Sequence, residues 1–541
     1  MKTVLALLAC LSFASFSAVA AESGANTEVS RPQILATMKR ATAFMQDKLA
    51  YKGGYVWAYL PDMSRRWGEM EAFPTMIWMQ PPGTATVGHV YLDAYHATGD
   101  DYFYRAAVKV ASAVMAAQLP SGGWNYMADL AGEASQRRWY DTIGRNGWRL
   151  EEFLHDSGNG TFDDAGTSDA AQFLLRLYLE KRDARFKPAL DRAIAFVLDA
   201  QYPVGGWPQR WPRPAKRFSY KGKPDYTGYL TLNDDVAAEN IKFLIMVYQT
   251  LGDRRAYEAV LRAMNAFIVL QQGQPQPGWA LQYTMPDLHP VGARSYEPDA
   301  LTTHTTAQAV GNMLDFYQLT GDTKFLARIP EALDWLDSVA LPAELAARTG
   351  RTHPTFIAIG SNTPLYVHRR GSNVVNGEYY VDHDPENTLS HYSSFRKINV
   401  AKLRGRFEAL RAMTPGEASK DSPLLARGLR LPKYFSLADM AVSDLNSGHI
   451  GVKAAPEAAQ LAALIPALNA EGYWPTPLKA TSNPYIGDGA ATPAAGDFSR
   501  THVGDASDTS PYIAKTPLSG ISTAAFIHNM GLLIRQLDMQ P

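Results

Sequence analysis

Two acidic clusters and one arginine carry the chemistry this chain could do. Asp163 and Asp164 stand in TFDDAGTSDAAQFLLRLY (Thr161–Tyr178), just ahead of an apolar helical run. Asn233, Asp234 and Asp235 repeat the arrangement in TLNDDVAAENIKFLIMVY (Thr231–Tyr248), and Arg294 lies further on in ARSYE (Ala293–Glu297). Carboxylates at two helix entrances suit a hard cation such as Ca²⁺, which takes oxygen ligands in tolerant geometry. An arginine in a loop suits an anion. No EF-hand spacing and no HExxH motif is present, so neither a preformed calcium cage nor a zinc site is indicated.

These pieces work together only if the helices bring them to one place, and the chain repeats in a way that says how. Tyrosine ends an apolar run and aspartate follows five residues later at Tyr95/Asp100, Tyr178/Asp183, Tyr248/Asp253 and Tyr317/Asp322. A second amphipathic run follows each aspartate, and three of these runs close on glycine and tryptophan: QLPSGGW (Trp124), QYPVGGW (Trp207) and QPGW (Trp279). Apolar spacings of three and four argue helix, and the Gly/Pro clusters argue stops. The period, near 70 residues, exceeds that of the common solenoid repeats. It predicts an all-α fold, an (α/α) toroid of repeated helical hairpins, with irregular or small β excursions in the C-terminal third. His353–Asp384, around Asn376-Gly377, reads as one such hairpin.

Register then places the acids. Asp164 precedes Tyr178 by 14 residues and Asp234 precedes Tyr248 by the same 14, with Thr303 in that slot before Tyr317. Equivalent positions in a ring share a rim, so Asp163, Asp164, Asp234, Asp235 and Arg294 are expected on one face. The competing reading is capping: aspartate before a helix accepts its free N–H groups and matches its dipole. For Arg294 the competing reading is an ordinary ion pair, for example with Glu297.

The chain begins with Met1-Lys2 and an apolar stretch, with Ala18 and Ala20 suited to cleavage before Glu22, which reads as a secretory signal over 1–21. Cys10, within it, is the only cysteine, so the remainder has neither a disulfide nor a thiolate metal site. With 52 basic against 53 acidic residues there is no general field for nucleic acid, and no membrane partner is expected. Eleven Trp and 27 Tyr, many in Gly/Pro loops, would suit a carbohydrate groove, or would plug helix ends. After about Leu341 the pattern loosens. Leu431–Asn446 starts a last helical section, Thr476–Pro511 reads as a long loop that could lie over the ring, and Ile521–Leu537 reads as a helix with Ser522 as its cap.

From about Gly160 to Val400 the chain resembles polysaccharide lyase family 10, the (α/α)-toroid pectate lyases. The resemblance rests on TFDD, AQYPVGGWPQRWP, TLNDDV, Trp279 with Gln282, ARSYE and the distal LYVHRR…VDHD segment, in the family's order. It implies a Ca²⁺-assisted β-elimination on α-1,4-polygalacturonate. Asp163, Asp164 and the Asn233–Asp235 group would hold the ion, and Arg294 would be the base. Arg369, His383, Trp207 and Trp279 would bind substrate, an acidic polysaccharide, and the protein would act as a monomer. The chain departs from the family at Asp164, where asparagine is usual, at Tyr283-Thr284 in place of His-Asp, and at His383 in place of an arginine.

The expected organisation is a signal at 1–21, N-terminal hairpins over 22–159, a catalytic core over 160–400 and a C-terminal extension over 401–541. Three rivals stand beside this reading. A toroidal glycoside hydrolase would use paired aspartates, such as Asp163 and Asp235, as acid and base. A lyase could act on another uronate polymer. A glycan-binding relative could keep the fold and have lost the chemistry.

Overall fold

In the computed structural model each tyrosine of the repeat lies in the last turn of one helix, and Asp100 and Asp253 open the next. Residues 29–214, 217–371, 377–389, 394–425, 431–436, 445, 456–487 and 496–539 are described. The signal segment 1–21 with Cys10, the Asn376 turn and the greater part of Leu431–Asn446 lie outside them. The helices are α1 (Arg31–Phe44), α2 (Thr84–Thr98), α3 (Asp101–Ala116), α4 (Glu133–Thr142), α5 (Gly166–Lys181), α6 (Lys187–Asp199), α7 (Val236–Leu251), α8 (Arg254–Leu270), α9 (Thr303–Thr320) and α10 (Ile329–Ser338).

The tyrosine carbonyl accepts the N–H of a left-handed residue one turn on: Gly99, Arg182, Gly252 and Gly321 bond Tyr95, Tyr178, Tyr248 and Tyr317. The aspartate then accepts a backbone N–H two residues further, Asp100 from Tyr102 and Asp253 from Arg255, each at 2.9 Å. There the five-residue spacing is a C-cap joined to an N-cap; Asp183 and Asp322 accept in the same way from Arg185 and Lys324, in turns that lead into α6 and α10.

Helices α2, α5 and α7 are buried on nearly every side, whereas α3, α6, α8 and α10 bury one apolar stripe. A helix that is apolar all round belongs inside. Accordingly α2, α5 and α7 pack in sequence, and each is paired with its own amphipathic partner. The ring closes at the chain ends, where the helix Thr523–Met539 packs on both α1 and α2. The fold is an (α/α) toroid.

Neighbouring hairpins are locked at their glycine stops. Gly122 and Gly205 have φ of +104° and +114°, and a Cβ there would lie 2.3 Å and 2.1 Å from the carbonyl oxygens of Arg192 and Arg262 in the next outer helix. The tryptophans beside them are fully buried, and their indole N–H groups donate to carbonyls of the helix just ended: Trp124 to Val114 and Trp207 to Val197, with Trp279 bonding Phe267 in the same way. Gly205→Ala is therefore expected to cost more than about 1–3 kcal/mol, combining left-handed strain with a backbone clash. Thermal unfolding checks this, and an unchanged midpoint would refute the locking role.

Strands are more widespread than the sequence suggested. Two-residue ladders clamp the rim of the toroid: Gly160–Thr161 pairs with Arg210–Trp211, and Leu230–Thr231 pairs with Gln282–Tyr283. Such short ladders carry no period-two signal. In the C-terminal third, Phe356–Ala358, Pro364–Arg370 and Glu378–Asp382 add in order to Ala300–Thr302. The expected long loop over Thr476–Pro511 needs correction at its start, because Thr476–Thr481 pairs with Tyr512–Ser522. That partner is distant in sequence, so local composition could not show it. Leu431–Ser436 is irregular, and Phe435 and Ser436 donate their backbone N–H groups to buried Asp93 of α2. Ser522 does cap the last helix, accepting from Ala525 N at 3.2 Å.

Candidate active site

The two acidic turns are built alike. Asp164 and Ala165 have φ of 48° and 57°, and Asp234 and Asp235 have 50° and 56°. Consecutive left-handed residues without glycine are costly and cluster where geometry serves function. None of the helical turns here has a side-chain cap hydrogen bond, so these aspartates do not cap α5 or α7. The left-handed pair turns their carboxylates away from the helix ends.

One ligand oxygen from each of Asp163, Asp164 and Asp234 lies within 4.8 Å of the others. Asp235 is exposed, outside this cluster, with Gln308 Nε2 at 3.4 Å from its Oδ1. Asp163 is fully buried, and all its donors converge on Oδ2: Tyr126 OH at 2.5 Å, Gln209 Nε2 at 2.6 Å and Arg294 Nη2 at 2.9 Å. Among the described residues its buried Oδ1 accepts from no N–H or hydroxyl group. A buried carboxylate oxygen without a donor, beside two further carboxylates, fits a divalent oxygen-seeking cation.

Arg294 sits at the centre of the acidic residues. Its guanidinium also reaches Glu297 at 3.1 Å, and Asp234 and Glu152 at 3.6 Å each. Glu297 shapes the loop itself by accepting the backbone N–H groups of Ala293 and Arg294, while Glu151 accepts from Ser295. Arg294 thus makes the Glu297 ion pair that the sequence offered as its plain role, and also faces the aspartate cluster.

Charge crowding moves the carboxyl groups apart. Burial opposes ionisation of Asp163, but Arg294 and the hydrogen bonds to Oδ2 outweigh it and hold the group below its usual range. Burial and the Asp163 charge push Asp164 up to about 7 and raise Asp234 well above an ordinary carboxylate. Metal ligands must be deprotonated, so a cation competes with protons here. A raised pKa stabilises the metal-free fold fully below about pH 4, and that contribution is lost as pH rises through about 7. The rise in melting temperature on adding Ca²⁺ is expected to grow from pH 5 to pH 8, read by thermal denaturation. A shift that shrinks with rising pH would contradict this.

Asp164, Asp234 and Asp235 line one wall of a cleft of about 930 Å³, with Trp57, Glu69, Gln80, Arg149, His304, Arg396, His502 and Ile513 around it, while Asp163 and Arg294 lie buried behind that wall. Gln80 donates to both Glu69 and Asp164, at 2.9 Å and 2.8 Å. Residues 135–374 match the family model described as pectic acid lyase. The match spans under half of the chain, so it is this segment that is similar to pectic acid lyases. No curated protein sequence matches the chain. Among solved structures, a family 10 polysaccharide lyase from Cellvibrio cellulosa is 16% identical with a TM-score of 0.41, covering 60% of this chain and 98% of that one. A mutant of the Cellvibrio lyase in complex with trigalacturonic acid is 16% identical with a TM-score of 0.40, covering 61% and 98%. Cellobiose 2-epimerase from Spirochaeta thermophila is 13% identical with a TM-score of 0.38, covering 61% and 74%.

The structure places the other candidate residues elsewhere. Trp207 and Trp279 are buried helix plugs and cannot meet a glycan. Arg369 is buried beneath the C-terminal segment, with its guanidinium 3.8 Å from the centre of the Trp148 ring. His383 is exposed on a hairpin, hydrogen-bonded to the Pro364 carbonyl at 2.9 Å, and does not line the cleft. The tryptophan in the cleft wall is instead Trp57, whose indole donates to the Gln80 carbonyl at 2.9 Å. Sequence reading also missed Tyr126 and Gln209, each two residues past a stop tryptophan. The repeat signal could have found them, because the stop that plugs with Trp124 or Trp207 aims its second following residue at Asp163.

Proposed function

We propose that the protein is a polysaccharide lyase that cleaves pectate by β-elimination at the three-aspartate cluster, with Arg294 as the base and Ca²⁺ as its cofactor, outside the cytoplasm. The observation that carries the reading is the meeting of Arg294 with Asp163 and Asp234 beside the donor-free Oδ1 of Asp163. Asp163, Asp164 and Asp234 would hold the ion. Asp235, outside the cluster, is not needed for it.

In such an elimination the C5–H bond breaks, its electron pair forms the C4–C5 double bond, and the C4–O bond leaves with its pair. The C5 proton is weakly acidic because the adjacent carboxylate resists further negative charge. A bound Ca²⁺ would neutralise that carboxylate and offset the aspartate charges that favour a protonated Arg294. Arg294 then receives the proton at a guanidine nitrogen, and the departing oxygen takes one from solvent. Glu297 and Glu151 hold the loop so that the guanidinium cannot swing away. Tyr126 and Gln209 fix Asp163 Oδ2 and leave Oδ1 facing the other carboxylates.

The hydrolase reading fits less well. Paired-carboxylate hydrolysis needs groups about 5–5.5 Å or about 6.5–9.5 Å apart. Here one oxygen each of Asp163, Asp164 and Asp234 lies within 4.8 Å of the others, Asp163 is ion-paired to an arginine, and Asp235, the partner a hydrolase would use, stands exposed outside the cluster. Polygalacturonate with Ca²⁺ is expected to yield ultraviolet-absorbing unsaturated uronides. New reducing ends without absorbance would transfer the case to hydrolysis, and absorbance only from another uronan would change the substrate alone.

A further inference from the structure

The cleft also holds a cation that the elimination does not use. Arg149 lines the cleft, and among the described residues it has neither an ion pair nor a hydrogen bond; its Nε is buried without an acceptor. A guanidinium left like this loses hydration, and the nearby charges of Asp508 and Glu69 offset only part of that loss, with no hydrogen bond made. Buried Arg210 and Arg294, by contrast, each make side-chain hydrogen bonds through their terminal nitrogens.

The C-terminal segment, which lies beyond the matched family region, is fastened to the turn that carries Arg149. Thr509 donates its N–H to the Asn146 carbonyl at 3.0 Å and its hydroxyl to the Ile143 carbonyl at 2.5 Å. Buried Asp508 ties the segment together by accepting from Gly504 N at 2.7 Å and Ser510 N at 2.9 Å. The segment so held brings exposed His502 to the cleft wall, beside Arg149. Behind them Arg369 donates to the Phe498 carbonyl, while its Nε and Nη1 remain buried without acceptors. Two guanidinium groups and an imidazole therefore converge from distant parts of the chain, with hydrogen-bonding capacity left over.

We propose that Arg149 and His502 form a second carboxylate-binding position, which grips a uronate of the substrate chain other than the one at the aspartate cluster. A planar guanidinium matches a carboxylate with two parallel N–H bonds, and the imidazole adds a donor from the facing segment. This position selects a polyanionic chain over a neutral one. It rests on the reading that the cleft takes an acidic polysaccharide.

Steady-state kinetics of the full chain on polygalacturonate with Ca²⁺ tests it. Arg149→Gln is expected to raise KM by about tenfold or more, while kcat stays within about twofold, because the lost contact is a charge-assisted bond away from the reacting atoms. Arg149→Lys recovers part of the loss, and His502→Ala raises KM by about threefold. Unchanged KM in both Arg149→Gln and His502→Ala overturns the inference, as does a fall in kcat at constant KM. If Arg149→Gln does not fold, His502→Ala decides, since its side chain is exposed. If the wild type releases no ultraviolet-absorbing product, the elimination on pectate is what has failed, and calorimetric titration with trigalacturonate decides the inference separately. Binding weakened about tenfold in Arg149→Gln upholds it, and equal binding, or none to the wild type, overturns it.

Discussion

Arg294→Lys is expected to lower turnover of polygalacturonate by about 10²–10⁴-fold, the range for loss of a positioned acid–base group. The substitution keeps a positive charge among Asp163, Asp234, Glu152 and Glu297, so the buried carboxylates are not abandoned. It removes the planar fork that meets several of them at once. Arg294→Ala is expected to lose as much activity and also to destabilise the fold by about 3–5 kcal/mol, because buried carboxylates would lose their partner. Comparing the two separates chemistry from stability. The ultraviolet product assay and the melting temperature should be read on the same preparations. Arg294→Lys retaining more than about a tenth of the wild-type rate would remove Arg294 from the base role.

The second large effect concerns the cation. Chelation is expected to abolish elimination, and Ca²⁺ to restore it better than Mg²⁺. Three aspartate oxygens and a substrate carboxylate form a loose oxygen shell, whereas Mg²⁺ demands near-ideal octahedral geometry. Asp163→Asn is expected to act like permanent chelation, with a loss beyond about a hundredfold. It keeps the side-chain shape and an oxygen acceptor for Tyr126 and Gln209, so the fold should survive. Full activity after chelation and dialysis would end the calcium reading. Loss of activity in Asp163→Asn that merely tracks the folded fraction would make the residue structural.

The acidic turns show where local sequence reasoning stops. TFDD and TLNDDV each admitted two roles, cap or ligand, because aspartate before a helix serves both. The backbone settles the capping question: two successive left-handed residues in each turn leave the helix ends without side-chain caps. The same geometry divides Asp234 from its neighbour Asp235, a division that adjacent identical residues could not show.

By itself the sequence determined the winding and the rim. The tyrosine–aspartate spacing is a helix stop joined to a helix start, both made of local hydrogen bonds, and local bonds are legible in local sequence. Equal register in two repeats then placed Asp164 and Asp234 at one face, near Arg294. Only the tertiary structure decided which side chains touch. Trp207 and Trp279 turned inward because the space beneath each glycine stop had to be filled, while Gln209, two residues beyond Trp207, reached Asp163. Arg369 was covered by a segment some 130 residues further along the chain, and Arg149 met His502 across a still longer separation. Contacts of that range depend on how the ring closes, and composition and periodicity do not encode the closure.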